Sequence, residues 1–128
     1  MAVRKQGPMT VPIIATRGVV VFPGNDMAIE VGRRRSIKAV ERSVDHHDSL
    51  VFVVSQKDLL VELPKEDDLY KIGTLCEIKQ VKRKEGYQKV TVRSLERAQM
   101  INFIDNGDHY CADVEVLHDE EQETSPKN

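Results

Sequence analysis

Two long stretches of strand-like sequence, separated by a two-residue turn, constrain the fold of this chain more than any other feature. Residues 71–84 and 87–104 are rich in alternating apolar residues, and Glu85-Gly86 lies between them. Glycine favours a tight hairpin turn, because it tolerates the positive φ angle that such turns require. The residues predicted to share one face of the first strand are Ile72, Thr74, Cys76 and Ile78. The sequence therefore predicts a long antiparallel hairpin.

Shorter apolar segments bring the predicted number of strands to about six. Their limits are residues 10–22, 27–31, 50–54 and 109–117. Residues 50–54 form a continuous apolar run, which is typical of a central strand covered on both faces. Turn signals separate the segments, and the strongest are Pro23-Gly24-Asn25-Asp26 and Asn106-Gly107.

One segment, residues 33–46, has helical periodicity instead. Ile37, Val40 and Val44 recur at spacings of three and four, with Ala39 beside them, and predict one apolar face of an amphipathic helix. The charges oppose this helix, because three arginines lie at its positive end. We therefore expect packing of the apolar face to stabilise it. The predicted fold class is mainly β (α+β), an antiparallel barrel or strongly curled sheet capped by a single helix.

Length and composition are those of one soluble globular domain. The chain has 128 residues, of which 40% are hydrophobic and 31% charged, and its formal net charge is −2. This balance gives no global bias towards nucleic acid or a membrane surface. The first residues lack the apolar core of a secretory signal, so we expect a cytoplasmic protein. Cys76 and Cys111 are expected to be buried free thiols.

No catalytic or cofactor-binding motif is present in the sequence. The glycines form neither a phosphate-binding loop nor a dinucleotide-binding turn. His46-His47-Asp48 could be a metal site, but a solvated helix end is the preferred interpretation, because adjacent residues point in different directions. The other candidates are interpreted as ordinary surface residues, and they are the pairs Ser36 with Lys38 and Ser94 with Lys89, and the solitary His109 and His118.

Three segments are candidates for binding. Leu59, Leu60 and Val61 form an apolar patch in a charged connection, which could be an exposed docking spot, although packing onto the domain is preferred. The basic clusters are Arg33, Arg34 and Arg35 near the helix start, and Lys79, Lys82, Arg83 and Lys84 before the hairpin turn. Either cluster could meet phosphates, and Tyr87 could stack on a base. A solvated charged surface is the preferred alternative.

Several ordered motifs resemble the N-terminal domains of ATP-dependent Lon proteases. Residues 11–24, Val-Pro-Ile-Ile-Ala-Thr-Arg-Gly-Val-Val-Val-Phe-Pro-Gly, are similar to the opening motif of that family. Further motifs follow in register: Val31-Gly32-Arg33, Ser36-Ile37-Lys38-Ala39-Val40, Ile72-Gly73-Thr74, Val90-x-Val92, Leu95-x-Arg97-Ala98 and Asp105-Asn106-Gly107. The family pattern is not matched at Ala15-Thr16, Ala28-Ile29 and Ser94.

The resemblance implies a pseudo-barrel of the PUA-like kind over residues 10–118, between a flexible N-terminus at residues 1–9 and an acidic tail at residues 119–128 that leads towards a helical segment. It also implies a substrate-recognition and assembly domain of a homohexameric serine protease, which degrades misfolded and short-lived regulatory proteins. Its partners would be unfolded or degron-bearing proteins and other subunits. The Ser-Lys dyad, ATP and magnesium would belong to the rest of the parent protein. The alternatives are a stand-alone adaptor with a Lon-type domain and a nucleic-acid-binding PUA-like module.

Overall fold

The computed structural model describes residues 9–17 and 26–117 of the chain. Within these ranges the backbone forms six strands, one α-helix and one short 3-10 helix, Glu66–Asp68. In chain order they are β1 (Met9–Thr16), β2 (Asp26–Val31), α1 (Arg34–His46), β3 (Leu50–Ser55), β4 (Ile72–Lys84), β5 (Tyr87–Asp105) and β6 (Tyr110–Val116). No helix in the described ranges is long and apolar enough to cross a membrane.

The six strands form one sheet that closes on itself. The strand order is β2-β5-β4-β3-β1-β6, and β5 also pairs with β6. Strand β5 is long enough to serve two neighbours on one side, because its first half pairs with β2 and its second half with β6. Register shifts in the β4–β5 and β5–β6 ladders mark the irregularities that help a sheet to bend. The predicted mainly β pseudo-barrel with a single helix is confirmed.

The two predicted turns within the described ranges are also confirmed. Gly86 links β4 to β5 with a φ angle of 87°, and Gly107 lies between β5 and β6 with a φ angle of 93°. Strands β1 and β3 are parallel neighbours, so the chain between them must cross over, and it carries β2 and α1 on the way. The predicted turn at residues 23–26 lies almost wholly outside the described residues.

Two apolar clusters hold the fold together, one on each face of the sheet. The cluster between β1, β3, β4, β5 and β6 contains Val11, Ile13, Phe52, Val54, Leu75, Met100 and Val114. The cluster beneath α1 and β2 contains Ile14, Ile29, Val40, Val51, Val53, Cys76 and Val92. Strand β3 supplies alternate residues to both clusters, so its prediction as a central strand covered on both faces is confirmed. Both cysteines are buried and free, as expected.

The predicted buried face of α1 was partly wrong. The buried residues are Ser36, Ala39, Val40 and Ser43, whereas Val44 is 49% exposed. Ser43 fits inside because its hydroxyl donates to the Leu50 carbonyl oxygen at 2.7 Å. The buried face of α1 is therefore shifted by about one residue from the face predicted from hydrophobicity alone. On β4, three residues of the predicted face, Thr74, Cys76 and Ile78, are buried, whereas Ile72 is exposed. Leu75 is buried in the cluster on the opposite face.

Candidate functional site

The apolar patch predicted in the connection after β3 is the most exposed apolar segment that the structure describes. Leu59 is 48% exposed, Leu60 86% and Leu63 59%, while Val61 is half-buried. The preferred expectation, that Leu59 and Leu60 pack onto the domain, is therefore wrong. We name residues 57–64 the leucine loop. It presents three leucine side chains to solvent within five residues.

The leucine loop is held in shape by a buried amide. Gln56 is 2% exposed, and its Nε2 donates to the carbonyl oxygens of Asp58, at 3.0 Å, and Val61, at 2.9 Å. The Asp58 side chain in turn accepts a hydrogen bond from the Leu60 amide at 3.0 Å. These contacts fix both ends of the turn that carries Leu59 and Leu60. The leucines are therefore exposed on an ordered backbone.

Arginine side chains connect the far end of the leucine loop to the barrel. Arg33 donates to the Ala15 carbonyl oxygen at 2.9 Å and to the Glu62 carbonyl oxygen at 3.3 Å. Arg17 lies 3.3 Å from the Glu62 carboxylate. Burial lowers the pKa of Arg33, nearby Arg17 adds to the effect, and Glu62 opposes it. Arg33 thus joins the start of α1, the end of β1 and the leucine loop.

The leucine loop has the features of a binding surface. Exposed leucines on a fixed backbone can bury apolar surface of a partner at a low cost in conformational entropy. The charged side chains in and beside the loop belong to Lys57, Asp58, Glu62 and Arg33, and charged groups are typical of the rim of an interface with an apolar centre. The loop contains no serine, cysteine or histidine. The site therefore fits recognition of an apolar protein segment.

The predicted basic cluster at the start of α1 does not form one surface. Arg33 points into the contacts with Ala15 and Glu62 described above. Arg35 lies with its guanidinium 4.7 Å from the centre of the Tyr110 ring and 3.4 Å from the Asp105 carboxylate. Only Arg34 of the three is exposed. Two of the three cations are thus used in contacts within the chain.

The second basic cluster lies at the exposed tip of the β4–β5 hairpin. Lys82, Arg83 and Lys84 are all exposed, and Lys82 pairs in register with Lys89 of the neighbouring strand. Tyr87 is half-buried beside them. Binding of phosphates by this cluster stays a prediction, which the salt dependence of binding to a nucleic acid would test.

The predicted serine–lysine pairs are separated by burial. Ser36 and Ser94 are buried, which corrects their interpretation as surface residues, whereas Lys38 and Lys89 are exposed. Lys38 instead lies 3.5 Å from Glu41. At the end of α1, the His47 ring contacts the Thr10 carbonyl oxygen at 3.2 Å. Within residues 9–17 and 26–117, no three histidine, cysteine or acidic side chains converge as a metal site would require.

A small polar cluster around His109 was missed by the sequence analysis. His109 is only 5% exposed, so its interpretation as a surface residue is wrong. Its Nδ1 lies 2.6 Å from the Asp108 carboxylate, and its Nε2 lies 3.4 Å from Cys111 Sγ, which also accepts from the Asn106 amide at 3.3 Å. Burial raises the pKa of Cys111, although the Asn106 contact opposes the rise. Neither the Asn106-Gly107 turn signal nor the strand pattern after it indicated that His109 would be buried.

The comparisons with known proteins agree on one family. The family model described as the ATP-dependent protease La (LON) substrate-binding domain matches residues 10–128. Lon protease of Halothermothrix orenii is 42% identical over 107 residues, which are 83% of this chain and 14% of that protein. Lon protease of Escherichia coli K12 is 37% identical over 108 residues, or 84% of this chain and 14% of that protein. The chain thus spans about one seventh of the length of these relatives.

Solved structures show the same fold. The N-terminal domain of Mycobacterium avium complex Lon protease superposes with a TM-score of 0.68 at 19% identity, covering 86% of this chain and 55% of that one. A Lon N-terminal domain protein from Xanthomonas campestris has a TM-score of 0.63 at 15% identity, with 86% and 60% covered. At such identities the likeness concerns the fold alone.

Proposed function

The chain belongs to the family of Lon protease substrate-binding domains, and from that premise we propose that it captures exposed apolar segments of unfolded or degron-bearing proteins. The leucine loop is the proposed contact surface. The observation that carries the proposal is the exposure of Leu60, at 86%, on a turn held by buried Gln56. An apolar side chain so exposed on an ordered backbone is unexplained by the stability of the fold.

The proposed binding is weak at each domain and selective for unfolded chains. Three leucines offer a small contact area, which suits a short apolar stretch that folded proteins keep buried. In a homohexameric parent, six copies would raise the effective affinity for a chain that offers several such stretches. The parent would then unfold and cut the captured protein with ATP, magnesium and a Ser-Lys dyad carried outside these 128 residues.

A leucine-to-serine substitution tests the proposed surface. We expect Leu60→Ser to weaken binding of a fluorescently labelled casein-like unfolded protein about threefold or more, because the side chain loses apolar contact area worth roughly 1 kcal/mol. Stability should change by less than about 0.5 kcal/mol, because the side chain contacts little of the domain. The assay is fluorescence anisotropy at a fixed salt concentration, with thermal unfolding measured in parallel.

Leu95→Ser is the matched control, because it makes the same chemical change at a partly exposed leucine of β5, 38% exposed, outside the loop. Binding by this variant should equal that of the parent chain. If Leu60→Ser and the unsubstituted chain bind the unfolded protein with equal affinity, the leucine loop is not part of the recognition surface.

A further inference from the structure

A groove separates the C-terminal half of α1 from the tip of the β4–β5 hairpin. It has a volume of about 520 Å³, within the roughly 300–1,000 Å³ typical of ligand pockets. The helix contributes Glu41, Val44 and Asp45 to one wall, and the hairpin contributes Val81, Arg83 and Gln88 to the other. It lies apart from the leucine loop, which shares none of these residues.

The side-chain amide of Gln88 is the feature of this groove that indicates a bound ligand. Its side chain belongs to a residue only 7% exposed, and its Oε1 is buried without a hydrogen-bond donor in the described part of the chain. A buried acceptor without a donor is costly and rare in folded proteins. Glutamine carries both an acceptor and two donors. Because the Gln88 Oε1 is covered, the side-chain amide must rotate towards the groove to pair with a backbone peptide group of a bound segment.

The two walls add an apolar surface and charges of opposite sign. Val44 is 49% exposed and Val81 half-buried, so an apolar side chain can be covered between them. Asp45 and Arg83 stand on opposite walls, and neither forms an ion pair with a described residue. Asp45 also lies four residues after Glu41, on the same side of the helix and near the negative end of its dipole.

Glu41 is less available than Asp45, because its carboxylate already lies 3.5 Å from Lys38. The charge that the helix wall offers to a ligand is therefore carried mainly by Asp45. A cationic side chain suits this wall. Arg83 on the facing wall is a donor, and a carbonyl oxygen of a peptide backbone is a matching acceptor.

We propose that this groove binds an extended peptide segment of a partner protein, with an apolar side chain between Val44 and Val81 and a lysine or arginine side chain beside Asp45. Gln88 pairs with a backbone peptide group of the segment, and Arg83 donates to one of its carbonyl oxygens. This site differs from the leucine loop, because it recognises a charged side chain and backbone peptide groups as well as an apolar side chain.

The test uses the 128-residue chain and two acetylated, amidated pentapeptides, Gly-Lys-Val-Val-Gly and Gly-Glu-Val-Val-Gly. Amide and methyl chemical shifts are followed to millimolar peptide. The lysine peptide should bind more tightly, with the largest shifts at the Gln88 side-chain amide and the Val44 methyl groups. Gln88→Met should weaken its binding about threefold to tenfold, the loss expected for one or two hydrogen bonds. Its unfolding midpoint should not fall, because the substitution removes an unpaired buried amide of similar size.

Two further variants separate the charge from the apolar contact and this groove from the leucine loop. Asp45→Asn should abolish the preference for the lysine peptide, and Leu60→Ser should leave the peptide-induced shifts of the Gln88 side-chain amide and the Val44 methyl groups unchanged. Equal binding by Gln88→Met and the parent chain would overturn the proposal, and so would shifts confined to the leucine loop. Shifts confined to the leucine loop would leave the proposed function intact. Peptide binding in the groove by a chain that does not bind unfolded protein would support the groove and contradict the proposed function.

Discussion

Replacing Gly73 with alanine should destabilise the barrel strongly, because the added methyl group would collide with the neighbouring strand β3. A Cβ atom at this position would lie 2.5 Å from the Val53 carbonyl oxygen and 3.0 Å from Phe52 Cζ. The first obstacle is backbone and the second is the ring of a fully buried residue. Neither can yield without separating β3 from β4 or moving Phe52 within the core.

The expected loss follows from two opposing effects. Overpacking of this kind costs up to about 3 kcal/mol, whereas alanine restricts the unfolded chain and returns about 0.4–1 kcal/mol. The net loss for Gly73→Ala is therefore about 2 kcal/mol. With a urea m-value of about 2 kcal/mol/M, the unfolding midpoint should fall by about 1 M at an unchanged slope.

Gly32→Ala is the matched control in the same urea titration. A Cβ atom there would meet its nearest neighbours at 3.7 Å and 3.9 Å, which is ordinary contact. Its stability should equal or slightly exceed that of the parent chain. The steric reasoning fails if Gly73→Ala unfolds within 0.2 M of the parent, or if both variants lose the same amount.

Two further predictions concern protonation. Burial raises the pKa of Cys76 from 9.0 to about 12. The protonated thiol therefore contributes its full stabilisation below pH 9, and this contribution is lost as the pH rises towards 12. Cys76→Ala should make the decline of the unfolding midpoint at alkaline pH shallower. Hydrogen bonds, first from Thr10 and then from Asn102, lower the pKa of Asp113 below 3.8. The stability that Asp113 contributes is present above pH 3.8 and lost as the pH falls. Thr10→Val should move the carboxyl titration, followed by NMR, back towards 3.8, and an unmoved titration would contradict this assignment.

The strand pattern was predictable because tight turns and alternation are local features. The hairpin of β4 and β5 could be read from Glu85-Gly86 and the flanking residues, and β3 from its continuous apolar run. The closure of the sheet required more information. Nothing local indicates that β5 pairs with β2 along one half and with β6 along the other.

Side-chain burial was predicted less well, because it depends on partners distant in sequence. Ser43 is buried because its hydroxyl donates to the Leu50 carbonyl oxygen. His109 is buried because its ring nitrogens contact the Asp108 carboxylate and Cys111 Sγ. Sequence reasoning treats such polar residues as exposed when their partners are unknown. Gly73 illustrates the opposite case, since the motif Ile72-Gly73-Thr74 carried the family resemblance and the structure supplies its steric reason.

The candidate site was found in the sequence but its state was misjudged. Leu59, Leu60 and Val61 were recognised as an apolar patch, and packing was the expected outcome because folding usually buries leucine. Exposure of the leucines results from the turn that Gln56 imposes. A glutamine that acts through backbone carbonyl oxygens leaves no periodic signal in the sequence.

The most direct test of the central claim is an amide chemical-shift titration of the isotope-labelled 128-residue chain with a casein-like unfolded protein, at moderate and then at high salt. Our account predicts shifts centred on Leu59, Leu60 and Leu63 that persist at high salt, because apolar contacts are not screened by ions. An unchanged spectrum at high micromolar concentration, or shifts that vanish with salt and centre on Lys82 and Lys84, would contradict it.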